Sequence, residues 1–98
     1  MIGSEKQVAW AQTIISDAMG TIEKNIALTT GRIKKYGMTS ETIRLEAWKA
    51  AKNNFEKILS LPDAQSASWI IDNRTEFDPT TIMHRVDAIV AANKRNNR

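Results

Sequence analysis

A single histidine, eleven carboxylates and no cysteine bound the chemistry open to this chain of 98 residues. His84 and Asp87 stand three residues apart, a spacing that on a helix would let a carboxylate pair with an imidazole. In helical projection, however, His84 points away from Ile82, Val86 and Ile89, and no nucleophile or second ligand has a recognisable spacing to it. It reads as a solvated surface histidine with Asp87 as its neighbour. Asp72, Glu76 and Asp78 are close enough in sequence to offer oxygens to a hard cation, but a dedicated calcium loop has more regularly spaced ligands and a glycine turn. Asp72 and Asp78 also have structural work at helix boundaries. With no Gly-rich phosphate loop, H-E-x-x-H or G-x-S-x-G pattern, the sequence predicts no enzyme, no cofactor and no metal centre.

Binding chemistry has more material. Trp48 lies within an apolar stripe and reads as core. Trp10 projects about 120° from the stripe of its helix, with Ile14 beside it, and Trp69 points away from the face of Ala67 and Ile71. Each either packs on the edge of a neighbouring helix or forms an exposed contact, and an exposed tryptophan is a strong candidate for a binding hot spot. Trp10, Ile14, Trp69, Asn73 and Arg74 are therefore the candidate residues for a protein partner. A second surface is basic. Arg32, Lys34 and Lys35 with Tyr36 resemble a phosphate-contacting loop with an aromatic available for stacking, and Lys94, Arg95 and Arg98 could add a flexible arm. The plainer reading of both is a solvated loop and a solubilising tail. The net charge of +3 permits an acidic partner without requiring one, and no basic recognition helix supports a helix-turn-helix.

The elements that must position these residues are helices. Only four glycines and two prolines punctuate the chain, so turns are scarce and the elements long. Ser4 and Gln7 have the spacing of a capping box. From Glu5 onward Val8, Ala11, Ile15, Ala18, Ile22 and Ile26 recur every three or four residues, predicting a helix to about Leu28. Gly20 inside it suggests a kink or a close helix approach. Thr29 to Thr39, with two glycines and the basic cluster, reads as a long connection. Thr39 or Ser40 then caps a second helix with Leu45, Trp48, Ala51, Phe55 and Ile58 on its apolar face, broadened by Ala47 and Leu59. Leu61-Pro62 ends it.

Asp63 is expected to cap a third helix from Ala64 to Asp72, which Asn73 closes in the left-handed conformation while Arg74 complements the carbonyl end. Asp78-Pro79 starts a fourth, with Ile82, Val86, Ile89 and Val90 inward, ending near Asn93. The predicted fold class is all-α, a compact bundle of about four helices, two long, one short and one medium. Residues 1–93 form a single domain and 94–98 a basic tail. The two long helices are expected to lie antiparallel. No signal peptide or apolar run approaching the roughly 20 residues of a membrane span is visible, so a soluble intracellular protein is expected, and the lack of cysteine is compatible with a reducing cytosol.

The opening Gly3-Ser4-Glu5-Lys6-Gln7-Val8-Ala9-Trp10-Ala11, combined with Trp69-Ile70-Ile71-Asp72-Asn73-Arg74, resembles a group of small, largely uncharacterised proteins of bacteriophages and other bacterial mobile elements. In that group a G-[ST]-x-K-Q-x-x-W-A opening is followed, tens of residues later, by a W-[IW]-I-D-x-R-like segment. The resemblance implies a cytoplasmic product of a mobile element in a bacterial host. It carries over no functional residue. The expectation is a non-enzymatic binding protein that acts on a protein partner, such as a component of bacterial defence or phage replication. The alternative is a sequence-nonspecific nucleic-acid binder, and self-association stays open.

Overall fold

A computed structural model describes residues 1–37 and 39–96; at residues 39, 40 and 94–96 it describes the backbone alone. Four α-helices account for most of it: α1 (Glu5–Tyr36), α2 (Thr39–Leu59), α3 (Ala67–Asp72) and α4 (Pro79–Asn96), with 3-10 turns at Pro62–Gln65 and Arg74–Phe77. The all-α class is as predicted.

The capping box forms. The Ser4 hydroxyl accepts from the Gln7 amide at 3.2 Å, and the Gln7 side chain accepts from the Ser4 amide at 3.2 Å. α1 then continues for 32 residues, two turns beyond the predicted end. The expected connection at Thr29 to Thr39 is therefore largely helix. Thr29 is fully buried, and its hydroxyl donates to the Asn25 carbonyl at 2.7 Å. Thr30 donates likewise to Ile26. With the hydroxyls satisfied inside the helix, the stripe of Ile22 and Ile26 runs on through Thr29 to the half-buried Ile33. Gly37 ends α1 in the left-handed conformation, φ 62°, its N–H donating to Ile33 at 2.8 Å. Gly20 faces open space, and a Cβ there would meet nothing within 4 Å, so no helix approaches it closely.

α2 returns along α1. Arg32 meets Glu41 near the turn and Glu23 meets Lys52 farther along, both at 3.7 Å, the nested order of an antiparallel pair. Ala11, Ala18 and Ala47 are buried, as close helix packing requires, with Trp48 and Phe55 filling the space beside them. The cap expected of Thr39 or Ser40 depends on side chains outside the described residues. α4 in turn runs antiparallel to α2: Phe55 stacks edge-on against Phe77 at 5.6 Å, whereas Arg44, nearer the start of α2, holds Asp87 at 2.8 Å. Asp78 caps α4 through the Thr81 amide at 3.4 Å. Ile82, Val86 and Val90 are buried as expected, but Ile89 is 40% exposed. It sits on the shoulder of that face, beside an open groove.

The third predicted helix is divided. Ser66 adopts an extended conformation, φ −95° and ψ 122°, because the N-terminal segment pairs with it. Ile2 N–H donates to the Gln65 carbonyl at 2.6 Å, and Ala67 N–H donates to Ile2 at 2.8 Å. Asp63 consequently belongs to a 3-10 turn, and Ser66 takes over as the N-cap of α3. Asn73 closes α3 at φ −102° and ψ 18°, not in the left-handed region, because Arg74 continues directly into the next turn.

Candidate functional site

The two tryptophan-containing signatures form one joint. Gly3 has φ 147°, and a Cβ there would come within 2.9 Å of the Ala67 Cβ, so only glycine lets the N-terminal strap lie against the start of α3. From that anchor α1 passes alongside α3. Trp10, Ile14 and Asp17 recur at i, i+4 and i+7 and project within about 60° of one another. Trp10 is 51% exposed, with the Arg74 guanidinium 5.6 Å from its ring centroid. Arg74 is fixed there by donating to the Ile71 carbonyl at 2.9 Å, which also places its charge at the carbonyl end of α3, as the sequence suggested. At an exposed site a cation–π contact contributes only about 0.5–1 kcal/mol. It orients the indole more than it stabilises the fold.

Beside this pair opens a cleft of about 350 Å³, lined by Ile14, Asp17, Arg74, Thr75, Phe77, Asp78 and Pro79. Trp10, Ile14 and Arg74 thus share one surface. Trp69 and Asn73 do not present themselves in the same way. Trp69 is half-buried and its ring packs edge-on to Phe77 at 6.3 Å, while the Asn73 side-chain amide donates to the Trp69 carbonyl at 2.8 Å. Both serve the joint between α3 and the core. Asp17, Asp78 and Pro79, which line the cleft, were not expected there. The i+7 relation of Asp17 to Trp10 was the available signal.

The expected basic loop is the last two turns of α1. Arg32 is drawn toward Glu41, Lys35 lies 5.3 Å over the Tyr36 ring, and Tyr36 is 61% exposed. The side chains of Lys94 and Arg95, and all of Arg98, lie outside the described residues. His84 is exposed, and Asp87, which the spacing would allow to pair with it, pairs with Arg44 instead. Asp72 is exposed at the end of α3, Glu76 pairs with Arg85, and Asp78 caps α4. No group of three or more His, Asp or Glu among the described residues is arranged to hold a metal ion. An apolar groove of about 280 Å³ between α2 and α4, bordered by Phe55, Ile58, Phe77, Ile82 and Ile89, has no counterpart in the sequence reading.

Comparison with protein-family models found no match, nor did comparison with curated proteins or with solved structures. Among the described residues no helix is long and apolar enough to cross a membrane.

Proposed function

We propose that this chain is a non-enzymatic binding protein, the product of a phage or related mobile element acting in the bacterial cytoplasm. It engages a protein partner, from the host's defence or the element's replication machinery, through Trp10, Ile14, Arg74 and the adjoining cleft. The observation that carries the reading is the half-exposed Trp10 with the Arg74 guanidinium 5.6 Å from its ring centroid, Arg74 itself lining the adjoining cleft. A large aromatic with an arginine beside a concavity is the composition of an interface centre.

The test is a nuclease-treated pull-down from bacterial host lysate with the wild-type chain and with Trp10→Ala and Arg74→Ala, each checked for helical content. Loss of a hot-spot side chain costs about 2 kcal/mol or more, roughly a thirtyfold loss of affinity. A stoichiometric partner retained by wild type and lost by both folded variants is the expected result. A partner that both variants retain undiminished would refute the assignment of this surface.

A further inference from the structure

The fold gathers the chain's positive charge at the end opposite Trp10. α1 finishes with Arg32, Lys34 and Lys35, and α2 starts beside it, as the Arg32–Glu41 pair shows. The Phe55–Phe77 and Arg44–Asp87 contacts set the direction of α4, so its last turn, at Lys94-Arg95-Asn96, arrives at that same end. Residues 30–44 and 87–96 carry six cations and two anions, a surplus of four in a chain whose total is three. The remainder of the molecule is close to neutral.

Helix dipoles explain part of this arrangement and not the whole. Lys34 and Lys35 complement the carbonyl end of α1, but each helix end amounts to roughly half a charge, and the amino end of α2 beside it offsets that. A surplus of four is several times what these dipoles would neutralise. Within this pole Tyr36 is 61% exposed, with the Lys35 ammonium 5.3 Å from its ring centroid. Cations beside a solvent-facing aromatic are the means by which proteins hold single-stranded nucleic acid: the phosphates meet the charges and a base stacks on the ring.

We infer that the pole built from the end of α1, the start of α2 and the end of α4 is a second binding site, for single-stranded nucleic acid without sequence preference. Lys34 and Lys35 contact phosphates there, and Tyr36 is the stacking platform. The site goes beyond the protein-binding surface and is independent of it. Trp10 and Lys34 are 24 positions apart on one helix, about 36 Å at 1.5 Å per residue.

The experiment is fluorescence anisotropy of a labelled oligothymidylate of roughly 16 nucleotides, titrated with the full chain at several salt concentrations. Three or four phosphate contacts predict that affinity falls about 20- to 50-fold between about 50 and 200 mM salt. Tyr36→Ala is expected to weaken binding about fivefold or more, and the double variant K34Q/K35Q to weaken it and flatten the salt slope by about 1.4. Trp10→Ala is expected to bind the oligonucleotide as wild type does, so failure here is distinguishable from failure of the protein-binding reading. Circular dichroism verifies that each variant is folded. No binding to the strand, or binding insensitive to salt, overturns the inference. Equal affinity for duplex DNA or for anionic phosphatidylserine vesicles, with no effect of Tyr36→Ala, overturns it as well.

Discussion

Replacing Gly3 by alanine tests the joint on which the Trp10 surface is built. The φ of Gly3 is 147°, and an added Cβ would lie 2.9 Å from that of Ala67, which is fully buried on α3 and has nowhere to withdraw. Two responses are open to the chain. The strap can stay docked and carry the strain, about 1–3 kcal/mol for a non-glycine residue in such a region. Alternatively, residues 1–3 can lift away and give up the Ile2–Gln65 and Ala67–Ile2 hydrogen bonds, each contributing about 0.5–1.5 kcal/mol net. The chain takes whichever costs less, so the loss is about 1–3 kcal/mol by either route. In a domain of this size each kcal/mol moves Tm by roughly 4–8 °C, and a loss near 2 kcal/mol corresponds to a Tm about 8–16 °C lower. Gly20→Ala is the control of opposite sign. A Cβ there meets nothing within 4 Å, and alanine is favoured over glycine within a helix by about 1 kcal/mol, so this variant should melt roughly 4–8 °C higher. Thermal unfolding followed by far-ultraviolet circular dichroism reads both, and hydrogen exchange at the Ala67 amide tells strain from lift-off. A Gly3→Ala melt at or above the wild-type Tm would refute the docking of the strap against α3.

The tryptophans should separate in stability measurements: Trp69→Ala, which strips the edge of the cluster around Phe77, is expected to cost about 2–4 kcal/mol, and Trp10→Ala, half in water already, no more than about half as much. Denaturant titration of both variants reads the difference, and an equal cost would mean that Trp10 is a packing residue. Asp87→Asn removes the Arg44 pair, whose side chains are 32% and 58% exposed, so the change should stay below about 1 kcal/mol and shrink further in high salt. A larger loss by the same titration would mean that the pair itself holds α4 against α2.

Local rules were legible in the sequence wherever the determinant was local. The Ser4–Gln7 box, the Asp78-Pro79 start and the apolar face around Trp48 and Phe55 depend on residues within a few positions, and they appear in the structure as read. The end of α1 was misread because Thr29 and Thr30 count as polar, although on a helix each hydroxyl can bond back to a carbonyl one turn earlier. The only local signal of the break before Ala67 was a serine at position 66 able to cap a helix. Ser66 is pulled into an extended conformation by Ile2, at the far end of the chain. That break sets where the six-residue α3 begins, and hence why Trp69 turns onto Phe77 while Arg74 reaches the Trp10 ring. Phe77, 2% exposed, lay in a segment read as a boundary between helices, where helical periodicity cannot flag a core residue. Trp10, Ile14 and Arg74 were individually legible, but their meeting was not.

A single uninterrupted α1 is what makes the two proposed surfaces physically independent. The helix runs the length of a molecule whose longest dimension is 49 Å, with the Trp10 surface near its start and the basic pole at its end. The separation of about 36 Å is more than four Debye lengths at physiological ionic strength, about 8 Å each. Neutralising Lys34 and Lys35 therefore leaves the potential at Arg74 and the cleft essentially unchanged. Direct electrostatics cannot couple the sites. If occupancy at one end altered affinity at the other, the coupling would have to pass through a change in how α1 packs against α2 or α3, because a straight helix in an unchanged setting has no second state for a ligand to select. The Gly3–Ala67 joint is where such a change would show first. It ties the segment just before α1 to the start of α3 through backbone hydrogen bonds, while α1 itself stays packed through Ala11 and Ala18.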